Sequence, residues 1–164
     1  MVSIHQPKVQ MAGMCIGAVS SSFPKPPAPM RYLRLERFSN GTVHLSCTAL
    51  EAYAADQWLG AISGTMASVR NAGDSRYTWP NVQDKNDTTM AFSSNPCIGD
   101  YLELDFGALT TRATSIHMMH GEGLGGGWER SIGVTLFVLD GARNIIFQHT
   151  WSSMPLTRSE TFTI

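Results

Sequence analysis

Charged residues are scarce in this sequence. They make up 15% of its 164 residues, with 12 lysines and arginines against 13 aspartates and glutamates, whereas about 25% is usual for soluble domains. No run of lysine or arginine occurs, so the positive patch that binds a phosphate backbone is missing. We therefore expect no nucleic-acid partner. We also expect part of the surface to lie against other proteins, because little charge is left to solvate it.

Local signatures of chemistry are missing as well. The three cysteines, Cys15, Cys47 and Cys97, are an odd number without CxxC spacing, which disfavours a disulfide framework or a structural zinc site. Two alternatives remain, namely buried free thiols or one disulfide with one free thiol in an oxidising compartment. No GxSxG motif occurs, and no P-loop lysine follows the glycine-rich stretch at 121–127. We therefore predict that the chain is not an enzyme.

Long apolar runs are absent too. None reaches the ~18–20 residues that a helix needs to span a bilayer, so no membrane span is expected. Residues 9–19 (VQMAGMCIGAV) have the composition of a short signal-peptide core, with Lys8 before them. We interpret this segment as retained in the protein. Secretion is therefore not supported, and the compartment stays unknown.

The first 29 residues differ in composition from the rest. After the small apolar stretch, residues 23–29 (FPKPPAP) are rich in proline, which favours an extended polyproline segment because proline cannot donate to a β-ladder. We predict an extended arm at 1–29 and a single domain at 30–164. The arm would pack either on its own domain or on a neighbouring protein subunit.

From Met30 onward, glycine-rich turns separate runs in which apolar and polar residues alternate, as in β-strands. The run RYLRLER is followed by Asn40-Gly41 and by a second alternating run to Cys47, which predicts a hairpin. Asp140 to Arg143 predicts another. Further strands are expected at 89–92, 101–106, 114–119, 132–139, 144–151 and 160–164, whereas residues 60–80 look irregular. The pattern predicts an all-β sandwich or jelly roll.

Titratable residues form three groups. His117 and His120 lie three apart, which places them on opposite faces of a strand, so a shared metal ion is not expected. Glu103 and Asp105 share one face, and we interpret them as a solvated strand face with a turn-capping aspartate. Residues 82–89 (VQDKNDTT) place several oxygen ligands close together. They suit either a cation loop or an Asx-rich turn whose side chains bond its own backbone.

The loops at the end of a sandwich are the usual place for binding residues. Loops at 72–79 and 120–128 carry tryptophans that could stack on a sugar, and nearby arginines that could bond its hydroxyl groups. Core or edge packing is the alternative for both tryptophans. The candidate ligand-binding residues are Arg76, Trp79, His120, Trp128 and Arg130.

Four segments, in this order, carry a resemblance to a known family. They are RYLRLER at 31–37, LSCTALEAYA at 45–54, NVQDKNDTTMAFSS at 81–94 and DYLELDFG at 100–107. Together with the later strands they resemble the discoidin, or coagulation-factor type C, domain of the galactose-binding-like superfamily. The resemblance covers about residues 30–164. It implies a jelly roll of about eight strands whose end loops bind glycans, lipid headgroups or proteins, usually without catalysis.

The resemblance also implies a structural calcium ion as the one possible cofactor. Carried over to this sequence, its ligands are Asp84, Asp87, Thr89 and Glu51. The sequence departs from the family pattern in that Lys85 stands where a glycine follows the aspartate. The paired terminal cysteines of extracellular members are also missing. The first departure bears on calcium binding, and the second bears on a role at the cell surface.

The preferred hypothesis from the sequence is a non-catalytic structural subunit of a large assembly, tethered to other subunits by the arm. Domains that begin with an RYLRLER-like strand also resemble proteins of large DNA viruses, so a minor virion component is one instance. The alternative is a carbohydrate-binding module that uses the end loops. A stand-alone enzyme has the least support.

Overall fold

The computed structural model of the chain describes residues 29–39, 44–69, 75–94, 97–108, 112–121 and 128–164. In these residues the chain forms ten β-strands and three short 3₁₀ turns, the turns at Ser75–Tyr77, Trp79–Val82 and Glu129–Ser131. The strands are β1 (Met30–Arg37), β2 (Ser46–Ala54), β3 (Gln57–Leu59), β4 (Ser63–Met66), β5 (Ala91–Phe92), β6 (Tyr101–Asp105), β7 (Ser115–His120), β8 (Val134–Asp140), β9 (Ile145–Thr150) and β10 (Ser159–Thr163).

The strands form two antiparallel sheets. The first has the order β4-β6-β1-β8-β9, and the second has the order β10-β7-β2-β3, with β5 pairing to β2 as its fifth strand. One core cluster holds side chains from both sheets. The predicted all-β sandwich is therefore confirmed, with ten strands in the described residues rather than about eight.

Alternation along each strand explains why the sheets face each other. In β1, Leu33 and Leu35 are fully buried, whereas Arg34 between them and Tyr32 before them point to the outer face. Opposite Leu33 in the ladder lies Leu104 of β6, which is also fully buried. Each such leucine contributes roughly 1.5–3 kcal/mol by leaving water. A one-residue slip in register would exchange the two faces and lose this contribution.

The two predicted hairpins have different outcomes. Strands β8 and β9 pair directly across the turn at 141–144, as predicted from Asp140 to Arg143. The hairpin predicted around Asn40-Gly41 is wrong, because β1 belongs to the first sheet and β2 to the second. Each strand has one apolar face to bury. The chain crosses from the first sheet to the second between them, so that both apolar faces point into the core. The turn itself, at 40–43, lies outside the described residues.

Two strands arise where the sequence looked irregular or unremarkable. Strand β3 pairs with the end of β2, and β4 pairs with β6 along its whole length. The residues of β4, SGTM, have little β-propensity. Its ladder to β6 therefore comes from tertiary context rather than from local preference.

The loops at one end of the sandwich, here called the Arg37 end, connect the two sheets. Strands β1 and β7 finish there, and β2, β8 and β10 begin there. Most of the predicted arm, residues 1–28, and most of the glycine-rich loop, residues 122–127, lie outside the described residues. Within the described part of the chain, no helix combines the length and hydrophobicity needed to cross a bilayer.

Candidate functional site

A cluster of polar side chains lies on the outer face of the second sheet. In β2, Leu50 and Ala52 are buried in the core, so Glu51 and Tyr53 point to the opposite face. His117 of β7 is the direct cross-strand neighbour of Glu51. The ladder between β2 and β7 therefore fixes the relative positions of these three side chains.

The carboxylate of Glu51 is the centre of this cluster. Its Oε1 lies 2.6 Å from the Nζ of Lys85, and its Oε2 accepts a hydrogen bond of 2.7 Å from the Tyr53 hydroxyl. The Nδ1 of His117 lies 3.3 Å from the same Oε2. Lys85 also donates to the Tyr53 hydroxyl at 2.8 Å. Four side chains thus form one closed hydrogen-bonded set.

The charge of Glu51 is stabilised by these partners. Burial by itself would raise the pKa of Glu51, but the hydrogen bonds from His117, Lys85 and Tyr53 outweigh it and lower the pKa to about 2. For Lys85, burial acts to lower the pKa, but the bonds to Glu51 and Tyr53 dominate and raise it. The pair is therefore ionised at neutral pH.

The loop that carries Lys85 is held in shape by its own side chains. Asp84 accepts hydrogen bonds from the Asn86 amide at 2.9 Å and from the Thr89 hydroxyl at 2.7 Å. Lys85 between them has a φ of 60°, in the left-handed region. The loop is thus an Asx-rich turn bonded to itself, the alternative considered from the sequence. It directs the Lys85 side chain over the sheet.

The calcium ligands implied by the resemblance do not fit that ion here. Glu51 and Asp87 line the same cavity, but the ammonium group of Lys85 lies beside the Glu51 carboxylate. Asp84 and Thr89 bond to each other instead of converging on a common point. Across the described residues, no group of three or more His, Cys, Asp or Glu side chains could hold a metal ion.

A small cavity opens above the cluster. It has a volume of about 170 Å³, and its walls are residues of β2, β7 and the Asx-rich loop, namely Thr48, Ala49, Glu51, Tyr53, Lys85, Asn86, Asp87, His117 and Met119. We call it the Glu51 pocket. Polar groups of both kinds, donors and acceptors, reach it together with the apolar side chain of Met119.

A second polar cluster lies inside the sandwich. The Nδ1 of His120 lies 2.7 Å from the hydroxyl of Ser131, and its Nε2 lies 3.2 Å from Oε1 of Glu160. Trp151 donates to the same carboxylate oxygen at 3.1 Å. Burial lowers the pKa of His120, and this outweighs the opposing effect of Glu160.

This serine, histidine and glutamate resemble a hydrolytic triad in composition but not in access. His120 has no exposed surface and Ser131 has 2%, whereas a nucleophile must be reachable by its substrate. Neither Ser131 nor Glu160 was a candidate residue from the sequence. The cluster joins the 3₁₀ turn at 129–131 to β7 and β10.

The end-loop residues predicted to bind a ligand do not share one open surface. His120 lies in the interior, and Arg130 is also buried, with its guanidinium carbon 4.3 Å from the centre of the Phe92 ring. The backbone carbonyl of Arg130 accepts a hydrogen bond of 2.8 Å from Arg37. Both side chains therefore lie inside the Arg37 end and not on an open surface.

The two predicted tryptophans and Arg76 also have separate surroundings. Trp79 packs against the core cluster, and its indole covers Gly64, where a Cβ atom would approach it to 2.6 Å. Trp128 is half-buried beside the 3₁₀ turn at 129–131, and Arg76 is exposed near the ring of Tyr77. Trp79 thus packs as the core- or edge-packing alternative describes, and a role in ligand binding stays a prediction.

The paired carboxylates of β6 are bound by arginines. Glu103 accepts hydrogen bonds from Arg34 at 3.2 Å and from Arg143 at 2.8 Å, and Asp105 accepts one from Arg31 at 3.1 Å. Burial would raise the pKa of Glu103, but the bonds from Arg143 and Arg34 lower it overall. These carboxylates share a strand face, as predicted, but that face is an ion-pair network.

The two cysteines in the described residues are free. Cys47 is buried and Cys97 is exposed. Burial raises the pKa of the Cys47 thiol, so it remains protonated and unreactive at neutral pH. The prediction of buried thiols therefore holds for Cys47 and not for Cys97, and Cys15 lies outside the described residues.

Comparison of the chain with protein-family models, with curated proteins and with solved structures finds no match in any of the three. The resemblance to the discoidin domain therefore stays a prediction.

Proposed function

We propose that this chain is a non-catalytic structural subunit that assembles with further copies of itself through the loops at the Arg37 end. The observation that carries the proposal is a set of exposed apolar side chains on those loops. We call them the apolar rim: Phe38, Ile98, Ile132, Met154 and Leu156.

Backbone hydrogen bonds hold these loops together. The amide of Phe38 donates to Gly133 at 2.8 Å, and the amide of Gly133 donates to Trp151 at 2.7 Å. The amide of Gly99 donates to Arg37 at 2.9 Å. Four loops from distant parts of the sequence thus meet at one place, namely those after β1 and β9 and those before β6 and β8. Leu156 is 97% exposed there, and clustered apolar exposure of this kind is typical of a protein contact.

The charge of the rim supports a second copy as the partner. The segments 97–99 (CIG), 131–133 (SIG) and 152–157 (SSMPLT) contain no charged residue. A surface without charge does not repel an identical surface, and a two-fold contact brings the same patch of both copies together. Depletion of charge is also characteristic of the centre of protein interfaces.

Sedimentation velocity of the full chain tests this proposal. We expect a concentration-dependent shift from monomer to larger species, and we expect Leu156→Asp and Ile132→Asp to restore the monomer, because a buried unpaired carboxylate is costly. Ile62→Asp is the matched control, since Ile62 is 70% exposed but lies at the opposite end. A wild-type chain that stays monomeric up to about 100 µM would contradict self-assembly.

The arm offers a second test of the assembly role. Deleting residues 1–29 is expected to weaken assembly if the arm tethers neighbouring subunits, as the sequence predicts. Because the resemblance includes proteins of large DNA viruses, a virion is the assembly to examine first. If the deletion leaves assembly unchanged, the arm does not tether subunits. The apolar rim would then be the proposed contact without the arm.

The proposed lack of catalysis is supported by the burial of two candidate nucleophiles. Ser131 is buried beside His120, and Cys47 is buried with a raised pKa. We expect a fluorophosphonate probe to leave the native protein unlabelled. Labelling that disappears in Ser131→Ala, with folding intact, would show an accessible triad and would overturn this part of the proposal.

A further inference from the structure

The two sheets end in four edge strands, which are β4, β9, β10 and β3. An open edge offers unpaired backbone groups to a further strand, and proteins block it with short strands, charge or covering segments. Strand β3 has three residues, and the 3₁₀ turn at 79–82 packs against β4. Strand β10 carries Glu160, whose carboxylate points inward to His120 and Trp151. Strand β9 has six residues, IIFQHT, without Lys, Arg, Asp, Glu or Pro. It is therefore the unguarded edge among the described strands.

The backbone of β9 directs hydrogen-bonding groups away from its own sheet. Within the described residues, β9 pairs with β8 alone. The amide of Trp151, directly after β9, donates to Val134 of β8 at 3.1 Å, and bonded positions recur at every second residue. Gln148 and Thr150 therefore occupy non-bonded positions, where opposite side chains lie closer together. In agreement, the hydroxyl of Thr150 lies 2.8 Å from that of Thr135. The N–H and C=O groups of Gln148 and Thr150 thus point outward.

Aromatic rings line the same open side of the sandwich. Phe147 is the ladder neighbour of the buried Val138, and its ring centre lies 5.6 Å from that of Phe162 in β10. The ring of His149 lies 4.9 Å from the same phenylalanine ring. These three aromatic side chains are only partly buried, and Ile145 at the start of β9 is 57% exposed. A strand added at this edge covers apolar surface as well as backbone groups.

An identical strand fits this edge. The ladder of β9 with β8 is in regular register from residue 147 to residue 150, and Gln148 and Thr150 each present one outward donor and one outward acceptor. Two copies of β9 that run antiparallel about a two-fold axis therefore match donors with acceptors. Because β9 contains no Lys, Arg, Asp or Glu, no like charges lie opposite each other in this arrangement. A charged peptide, by contrast, finds no counter-charge on β9.

Pairing at this edge is distinct from contact through the apolar rim. Strand β9 runs antiparallel to β8, which begins at the Arg37 end, so β9 finishes at that end. In an antiparallel pair of β9 strands, the Arg37 ends of the two copies point in opposite directions, and their rims do not meet. The rim of each copy is then open to a third copy. Each copy thus has two different self-complementary surfaces, whereas one two-fold contact alone stops at a dimer.

We propose that β9 pairs antiparallel with β9 of a second copy and joins the two first sheets into one continuous sheet. This inference rests on the proposed assembly role and adds to it the second contact that an assembly larger than a dimer requires. A ladder between two strands is weak by itself. The edges therefore pair in copies that the rim already joins, because linked contacts reinforce one another.

Sedimentation velocity of the full chain tests the proposal. We expect wild type to form species larger than a dimer, and Gln148→Pro to stop at the dimer, because proline removes the outward N–H group. An edge strand tolerates proline at such a position. Gln148→Ala, which keeps the N–H group, is the matched control and should assemble as wild type does. Leu156→Asp removes the rim contact and should leave monomers.

A second variant leaves the backbone unchanged. Gln148→Lys combined with Thr150→Lys places two charges on the edge and should also stop at the dimer. Ser63→Lys combined with Thr65→Lys, at two exposed residues of β4, is its control and should assemble as wild type does. Circular dichroism verifies that each variant is folded.

Hydrogen exchange of the amides of Gln148 and Thr150 reports on the edge directly. At concentrations that give the larger species, we expect these amides in wild type to exchange at least about tenfold more slowly than in Leu156→Asp, because pairing protects them. The amides of residues 147 and 149, which bond to β8, should be protected in both proteins.

Three results would overturn edge pairing and leave the rim in place. They are wild-type species no larger than a dimer, both edge variants assembling as wild type does, or equally fast exchange of the two outward amides in wild type and Leu156→Asp. Slow exchange in monomeric Leu156→Asp would also overturn it, since a segment of the same chain, such as residues 1–28, would then cover the edge.

The two contacts can fail separately. Assembly of Leu156→Asp with slow exchange of the outward amides would support the edge and contradict the rim. A monomeric wild type with fast exchange would contradict both.

Discussion

Lys85 and Glu51 form the shortest ion pair on the outer face of the second sheet, with Nζ and Oε1 2.6 Å apart. The lysine side chain is about half exposed, whereas that of the glutamate is almost fully buried. Water can therefore solvate the ammonium group but hardly reaches the carboxylate. The lysine thus serves mainly to compensate the buried charge of the glutamate, and this asymmetry has measurable consequences.

Lys85→Met should lower the free energy of unfolding at pH 7 by about 1–2 kcal/mol, because Glu51 keeps its burial but loses a charged partner. Lys85→Arg is the control and should lose less, since it keeps the charge. Urea denaturation measures both. Equal stability of Lys85→Met and wild type would show that Tyr53 and His117 suffice.

The same pair predicts behaviour in acid. The folded-state pKa of Glu51 is about 2, below the ordinary value of 4.5, so the unfolded chain takes up this proton first as the pH falls. Its contribution is complete above about pH 4.5 and is lost on going down toward pH 2. Urea denaturation between pH 5 and pH 2 should show a steeper loss for wild type than for Lys85→Met. Parallel curves would contradict the assignment to Glu51.

Calcium should not stabilise the wild-type protein, because the ammonium group of Lys85 lies beside the carboxylate that an ion would need. Lys85→Gly removes that group and also suits the φ of 60° at this position. We expect millimolar Ca²⁺ to raise the melting temperature of Lys85→Gly more than that of wild type. The double variant Lys85→Gly with Asp87→Asn is the control. A calcium-dependent rise in wild type would restore the metal site implied by the resemblance.

His120 predicts a second pH dependence. Burial lowers its pKa below the ordinary 6.5, so the unfolded chain binds the proton more readily and stability falls as the pH drops below about 6.5. His120→Gln should flatten the stability curve between pH 7 and pH 5, and Ser131→Ala should retain the slope. Thermal unfolding across this range provides the measurement. An unchanged slope in His120→Gln would assign the effect to another group.

Gly64 is predicted to be intolerant of substitution. A Cβ atom at this position would lie 2.6 Å from the indole of Trp79, so Gly64→Ala must displace a ring that packs on the core. We expect a loss of about 1–3 kcal/mol in the free energy of unfolding. Thr65→Ala, at the exposed neighbour, is the control and should stay within about 0.5 kcal/mol. Wild-type stability in Gly64→Ala would mean that Trp79 is free to move.

The sequence predicted the strands better than it predicted their partners. Strands β6 to β10 lie within a few residues of their expected positions, because alternation in Tyr101–Asp105 or Val134–Asp140 is a local signal. The prediction of a hairpin between β1 and β2 was wrong, because turn residues and alternation do not determine which of the two sheets the next strand joins. Strand β4 was missed because its ladder to β6, not its own residues, makes it a strand.

For the candidate site, too, the sequence indicated some of the residues but not their spatial partners. Glu51 was named only through the resemblance, as a calcium ligand, and the residues of the aspartate loop left a cation loop and an Asx-rich turn open. The role of Lys85 as the partner of Glu51 depended on the bend of the loop. His120 and Arg130 were expected at the surface, and burial, a property of the whole fold, placed them inside.

The sequence by itself determined that this chain forms strands with one apolar face each and that Asp140 to Arg143 makes a hairpin. These properties depend on neighbours along the chain. Only the tertiary structure decided that His117 meets Glu51, 66 residues away, and that Lys85 meets Tyr53, 32 residues away. Such contacts follow from how the strands pair and how the loops cross between the sheets, which alternation along a strand leaves open.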